Sequence, residues 1–159
     1  MIKITLSTDK VIAAFEELER RMEDFSPVMR DIGELLSRST KERIGAGGPA
    51  PDGTPWAAKS EATYANYVRK REGVNRKPLT HTGELGRQIF PDSGVDWVEI
   101  GASPVYAAMM QFGGSKAAFP HLWGDIPARP FMGLSPQDEE NVVESVEYYL
   151  AGAFLRYAE

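Results

Sequence analysis

The stretch Ile126-Pro127-Ala128-Arg129-Pro130-Phe131-Met132-Gly133-Leu134-Ser135 carries two prolines on either side of an alanine and an arginine. Each proline fixes its own φ and lacks a backbone N–H. Each also pushes the residue before it toward extended backbone. We call residues 126–135 the arm. The pattern predicts a stiff, extended segment that cannot lie in the middle of a sheet, and such a segment suits docking better than chemistry.

The arm leads directly into a predicted long helix. Ser135 is a favourable N-cap residue and Pro136 suits the first helical position. Apolar residues then recur at helical spacing to about residue 157, which predicts one apolar face. That face consists of Val142, Val143, Val146, Tyr149, Leu150, Ala153, Phe154 and Tyr157.

The N-terminal part predicts one strand and two helices. Residues 1–6 alternate apolar and polar side chains, which is typical of a strand. Thr8 or Asp9 can cap the helix that follows, and a second start is predicted at Ser26-Pro27, with an end at Gly45. The first helix has an apolar stripe made of Val11, Ile12, Phe15, Leu18 and Met22.

Glycine and proline dominate residues 45–55, so this segment is predicted to be a long loop. Trp56 follows at once and is expected to anchor one end of the loop. Ser60 is predicted to cap a polar helix over residues 62–71. Loops of this length are usually functional or order only on binding a partner.

The second half predicts a β-hairpin from residues 87–90 and 95–100, joined by a turn at 91–94. A short helix is predicted over residues 104–112. The expected fold is therefore α+β: a small sheet flanked by N-terminal helices and a long C-terminal helix, with long loops that become ordered on assembly. We expect one domain over residues 1–159.

Charge is distributed unevenly around the net value of −5. Residues 131–159 hold one base, Arg156, and six acids: Asp138, Glu139, Glu140, Glu144, Glu147 and Glu159. The opposite bias is found in Arg69, Lys70, Arg71, Arg76 and Lys77, with Glu72 among them. Such unlike regions can direct association with complementary surfaces, or they can simply be two solvated faces.

Composition argues against several function classes. The chain has no cysteine, which excludes disulfides, thiolate nucleophiles and cysteine-ligated metals. No run approaches the roughly 18 apolar residues of a membrane span, so no membrane contact is expected. His81 and His121 lack the spacing of a zinc pair, and residues 45–48 lack the lysine of a phosphate-binding loop. We therefore predict a protein that is not an enzyme, with no catalytic, cofactor-binding or metal residues.

Two alternatives stay open at this point. One is a hydrolase that uses the loop histidines, with Asp125 as an added carboxylate if a metal is involved. The other is a DNA-binding factor that acts through residues 69–77, preceded by Tyr64 and Tyr67 as stacking side chains.

The chain resembles the phage virion morphogenesis (tail completion) family of Mu-like phages. The resemblance is carried, in order, by Pro51-Asp52-Gly53-Thr54-Pro55-Trp56-Ala57, Ser60, Thr63, Leu79-Thr80-His81-Thr82-Gly83-Glu84-Leu85, Ile100-Gly101-Ala102, Tyr106-Ala107, Gln111-Phe112-Gly113 and the arm. It implies a structural virion protein, assembled in the cytoplasm of the bacterial host. It further implies a homo-oligomeric ring, often sixfold, that completes the tail and joins it to the head.

The partners implied by the resemblance are the tail tube protein, head–tail connector proteins and, non-specifically, the genomic DNA in the channel. Head-to-tail ring contacts join unlike patches, which the two charged regions could supply. We also predict that Arg129 pairs with a carboxylate or with carbonyls that fix the arm; the alternative is a solvated arginine. The predicted interface residues are Pro51, Asp52, Trp56, Arg69, Lys70, Arg71, Arg76, Lys77, Arg129, Pro130 and Phe131.

Overall fold

The computed structural model describes residues 8–122 and 124–156. In chain order the elements are α1 (Asp9–Glu23), α2 (Ser26–Ala46), α3 (Glu61–Lys70), α4 (Glu84–Arg87), β1 (Ile89–Ser93), β2 (Val98–Ala102), α5 (Ala107–Phe112) and α6 (Pro136–Leu155). The predicted α+β class is confirmed. The strand predicted at residues 1–6 lies outside the described residues.

The central helix of the fold is α2, which packs against the hairpin, α4 and α6. Its buried apolar side chains include Val28, Ile32 and Ile44. A Cβ at Gly33 would lie 3.0 Å from the Pro91 side chain, so this glycine allows the hairpin to approach closely. The helix continues past the predicted end and stops at Gly47, whose left-handed φ of 85° suits glycine.

The N-terminus of α2 is capped differently from the prediction. The carboxylate of Asp24 accepts a hydrogen bond of 2.9 Å from the backbone N–H of Ser26. Ser26 itself is already helical, and the proline lies in the first turn as expected. The N-cap position is Phe25, whose side chain makes no capping hydrogen bond, so the cap predicted at Ser26 is wrong by one residue.

The hairpin exists, but its boundaries differ from the prediction. Pro91, which was expected in the turn, pairs with Ile100 inside the sheet, and the turn is closed by the Gly94 N–H on the Trp97 carbonyl at 2.9 Å. Proline is tolerated because both strands of a two-stranded sheet are edge strands. Trp97, expected in the second strand, lies before it.

Helix α1 packs on α6, and its interior side is not the one that the apolar stripe suggested. Ala14 and Glu17 are buried, whereas Val11, Ile12, Phe15 and Met22 are largely exposed. A buried carboxylate is tolerated here because Arg20 and Arg21 both donate hydrogen bonds to it. Most of the stripe is thus exposed, although the Phe15 ring meets the Phe154 ring of α6 edge-on at 5.9 Å.

The hydrophobic core lies between α2, the hairpin, α5 and the arm. Its buried members are Ile44, Leu85, Ile89, Ala107 and Phe131, and the partly buried side chains around them are Trp56, Leu79, Ile100, Ala102, Met110 and Met132. No helix within residues 8–122 and 124–156 is long and apolar enough to cross a membrane.

Candidate functional site

The arm lies outside the helices and the two-stranded sheet, as its prolines predicted, and it buries only Arg129 and Phe131. The backbone of Ile126 exchanges two hydrogen bonds with Gly114, at 2.8 and 2.9 Å. The Arg129 N–H donates to the Met110 carbonyl at 2.8 Å. These bonds fix the first half of the arm against α5 and the loop after it.

Gln111 holds the second half of the arm. Its side-chain oxygen accepts hydrogen bonds from the backbone N–H groups of Phe131 and Met132, at 2.9 and 3.0 Å. Its side-chain nitrogen donates to the Met132 carbonyl at 3.1 Å. One amide therefore supplies the hydrogen bonds that a neighbouring strand would otherwise give to the backbone around the buried Phe131.

Arg129 is buried, with 8% of its surface exposed. Its Nε donates to the Ala57 carbonyl at 2.7 Å and its Nη2 donates to the Ala58 carbonyl at 2.8 Å. Burial lowers the pKa of Arg129 from its ordinary value, although a guanidinium remains charged in proteins. The prediction that carbonyls pair with Arg129 is confirmed, and the solvated alternative is wrong.

Trp56 and the glycine-rich loop fold onto the same arm. The indole N–H of Trp56 donates to the Pro130 carbonyl at 2.8 Å. A Cβ at Gly48 would lie 3.1 Å from the Trp56 ring, and one at Gly133 would lie 3.0 Å from the Pro51 ring. The φ angles of Gly48 and Gly133 are +106° and +144°, a region that side chains rarely adopt, so glycine suits both of these close contacts.

A buried salt bridge fastens the end of the arm to α2 and α6. Arg43 lies 2.9 Å from the Asp138 carboxylate and also donates to the Phe131 carbonyl at 2.9 Å. Both side chains are nearly buried, at 9% and 4% exposure. Ser135 and Asp138 form a reciprocal capping box at the start of α6.

Electrostatics keep the Asp138 carboxylate charged. Burial alone raises its pKa, but hydrogen bonds from Ser39, Ser135 and Arg43 outweigh burial and lower the pKa below its ordinary value. The sequence reasoning missed this pair. The spacing of Ser135 and Asp138 was a usable signal for the capping box, whereas nothing near Arg43 in sequence points to its partner 95 residues away.

We call these contacts the hub: the arm together with Arg43, Trp56, Gln111 and Asp138. It joins three of the sequence blocks that carry the family resemblance, those that contain Trp56, Gln111 and the arm. Its polar groups bind backbone carbonyls, backbone N–H groups and one another. The chemistry of the hub is therefore positional, since it fixes the start of α6 relative to α2 and the hairpin.

A groove of about 600 Å³ lies beside the arm. Its apolar lining includes Leu79, Leu85, Met110 and Ile126, and its polar lining includes Lys59, Ser60, Thr63, His81, Glu84 and Asp125. Ser60 caps α3 there as predicted, accepting a hydrogen bond from the Thr63 N–H at 3.3 Å.

The two histidines have separate partners. His81 stacks on Tyr67 at 4.7 Å between ring centroids, and its Nε2 lies 3.6 Å from the Glu72 carboxylate. His121 meets the edge of Phe119. Across the described part of the chain, no group of three histidine or acidic side chains could hold a metal ion. The hydrolase alternative therefore gains no geometric support.

Five exposed cations cluster at the C-terminal end of α3 and in the loop after it. We call Arg69, Lys70, Arg71, Arg76 and Lys77 the basic surface. Arg69 donates to the Asn66 side chain at 2.7 Å, and Arg76 lies over the Tyr64 ring at 5.4 Å. Within residues 8–122 and 124–156, none of the five cations forms a salt bridge.

The predicted interface residues fall into two groups. Arg129 and Phe131 are buried in the hub, and Pro51 and Trp56 are half-buried beside it. Asp52, Pro130 and the basic surface are exposed. Contact with another protein stays a prediction for all of them, and only the exposed group can meet a partner without rearrangement.

Residues 6–151 match the phage virion morphogenesis family, a span that includes the whole hub. The chain belongs to this family. Phage virion morphogenesis proteins build the virus particle, so this chain is a virion-associated structural protein, and the expected family is confirmed.

Three curated proteins are similar to this chain over most of its length. The chain is 29% identical to "Putative capsid assembly protein G" of Escherichia phage Mu, over 96% of each protein. It is 28% identical to "Mu-like prophage FluMu G protein 2" of Haemophilus influenzae, over 94% of this chain and 96% of that protein. It is 29% identical to "Tail completion protein S" of Escherichia phage P2, over 86% of this chain and 97% of that protein. No solved structure matches the chain significantly.

Proposed function

We propose that this protein completes the phage tail and joins it to the head, as a sixfold ring of identical copies around the DNA channel at the neck. The proposed partners are the tail tube protein on one side and head–tail connector proteins on the other. Support comes from the family and from the relative in phage P2, whose name is that of a tail completion protein.

The observation that carries the proposal is the hub. Three of the segments that resemble the family bind each other: the loop ending at Trp56, Gln111 and the arm. A rigid centre without reactive groups suits a protein that positions surfaces for assembly. The hub itself supplies none of the reactive groups that an enzyme holds in an accessible cleft.

The test uses a phage from whose genome the gene for this protein has been deleted. We expect electron microscopy to show unjoined heads and tails, and we expect the wild-type chain supplied in trans to restore infectious particles. Mass spectrometry of purified virions should detect the chain, and a map of the neck should show a ring of it. A matched control supplies the chain with the exposed Glu139→Gln substitution, which should complement fully.

Two outcomes contradict the proposal. One is complete, infectious particles in the absence of the gene. The other is a chain that stays monomeric with the tail tube protein and is absent from virions.

A further inference from the structure

We infer that, in the proposed ring, the outer face of α6 of one copy packs on the basic surface of the next copy. The inference rests on the proposed function, because it describes how neighbouring copies of the ring recognise each other. It commits to a second copy of this chain as the occupant of both surfaces.

The outer face of α6 is acidic and partly apolar. Glu140, Glu144 and Glu147 follow one another at helical spacing, so they point to one side of the helix. Val143 and Tyr148 flank them and are 57% and 76% exposed. We call these five residues the acidic face. None of its carboxylates forms a salt bridge within the described residues.

The opposite side of α6 is already in use. Ala153 is fully buried, and the Tyr149 hydroxyl donates to the Asp24 carbonyl at 2.8 Å. The buried acid of this helix, Asp138, is paired with Arg43. The acidic face is therefore the part of the helix that its own chain leaves without a partner of opposite charge.

The basic surface has the complementary composition. Its five cations are exposed, and the apolar side chains beside them are also exposed, Val68 at 68% and Val74 at 51%. Opposite charges at the rim with apolar contact between them describe a typical protein interface. The basic surface and the acidic face thus match in both charge and apolar character.

Two unlike surfaces on one chain give a head-to-tail contact. Such a contact can repeat from copy to copy and closes into a ring when the rotation allows it. DNA is the rival occupant of the basic surface, but phosphates would leave Val68 and Val74 exposed and the acidic face without a partner. A second copy accounts for both surfaces at once.

The experiment is a charge exchange. One variant carries Arg69→Glu and Lys70→Glu, and the other carries Glu144→Lys and Glu147→Lys. Each variant alone should form rings at least about tenfold more weakly, because like charges then face each other. Native mass spectrometry and sedimentation, with the tail tube protein present, measure the ring fraction.

Restoration is the decisive part of the experiment. An equal mixture of the two variants should form rings again, with the variants alternating, since every contact then joins opposite charges. A chain that carries all four substitutions should also form rings by itself. Control variants with the same charge changes elsewhere, Arg38→Glu with Lys41→Glu and Glu16→Lys with Glu19→Lys, should assemble like wild type.

Each failure has its own meaning. The inferred interface is wrong if each two-substitution variant alone forms rings as wild type does. It is also wrong if the mixture and the four-substitution chain stay dissociated while wild type assembles. In both cases the proposed function stands. If wild type never forms a ring with the tail tube protein, both fail. If Arg69→Glu with Lys70→Glu forms normal rings but loses salt-sensitive binding to a DNA duplex, the basic surface is a DNA site and the inference is overturned.

Discussion

Arginine serves opposite purposes in the hub and on the basic surface. In the hub, Arg43 and Arg129 are nearly buried, and each binds backbone carbonyls from distant parts of the chain. On the basic surface, Arg69 and Arg76 are exposed and meet only nearby neutral side chains. Buried, fully bonded arginines specify the fold, whereas exposed ones without a counter-charge are available to a partner. The following substitutions test that division.

The largest effect is expected from Asp138→Ala. It leaves the guanidinium of Arg43 buried without its carboxylate, and breaking one side of a buried pair costs about 3–5 kcal/mol of unfolding free energy. Urea unfolding measures the change. Glu139→Ala, one position away and exposed, should stay within about 0.5 kcal/mol of wild type. A loss equal to that of this control would show that the pair does not hold the hub.

Arg129→Ala is expected to cost about 1.5–3 kcal/mol, the usual effect of removing a charged hydrogen bond. Arg129→Lys should recover little, because an ammonium lacks the fork that spans the Ala57 and Ala58 carbonyls. Thermal and urea unfolding give both values, with the exposed Arg38→Ala as the control. Full recovery by lysine would mean that charge alone matters at this position.

Trp56→Phe removes one neutral hydrogen bond and keeps most of the ring, so a loss of about 1 kcal/mol is expected. The comparison variant is Trp97→Phe, since the Trp97 indole makes no hydrogen bond within the described residues. If the two variants are equally stable, the indole N–H of Trp56 contributes nothing to holding the arm.

A smaller, pH-dependent effect is expected at Glu17. Hydrogen bonds from Arg20, and then from Arg21, lower the pKa of Glu17 from 4.5 to about 2. A lowered folded-state pKa means that the stabilisation is complete above pH 4.5 and is lost as pH falls toward 2. Salt should weaken it, because Arg20 is exposed.

Urea unfolding at several pH values between 5 and 2 tests this expectation. Glu17→Gln should give a flatter dependence than wild type in that range, and the exposed Glu16→Gln should follow wild type. Parallel curves for all three proteins would contradict the role assigned to Glu17.

The smallest effect on stability is expected on the acidic face. Glu144→Lys with Glu147→Lys should change the unfolding free energy of the monomer by no more than about 0.5 kcal/mol per substitution, since both side chains are exposed. Circular dichroism and urea unfolding of the monomer check this. A large loss of unfolding free energy would show that these two residues stabilise the fold, as the hub does, and would contradict the division between the two regions.

Local signals in the sequence predicted two helix caps but misplaced the one at Ser26, and distant contacts were not predicted. Ser60 and Ser135 were expected to cap helices and do so, because a cap needs only a residue three positions away. The prolines of the arm correctly indicated an irregular segment. Arg43 was missed because its partner lies 95 residues away and its helical surroundings look ordinary.

For α1, the apolar periodicity predicted the helix correctly but not the side of the helix that is buried. The spacing of Val11, Phe15 and Met22 correctly indicated a helix, but the buried side carries Ala14 and Glu17. Which side of a helix is buried depends on its packing contacts with the rest of the chain, which the periodicity of one helix does not contain. Here Arg21 donates to the Tyr149 carbonyl of α6 and also pairs with the buried Glu17.

The long sequence separations within the hub have a consequence for the order of synthesis. The hydrogen-bond acceptor of Trp56, the Pro130 carbonyl, lies 74 residues later in the chain, and the carboxylate that pairs with Arg43 lies 95 residues later. A nascent chain that has not yet released its arm from the ribosome has no closed core. It also lacks the acidic face, one of the two surfaces in the contact that we propose between copies. Under that proposal, a chain can present both surfaces only after its core has closed.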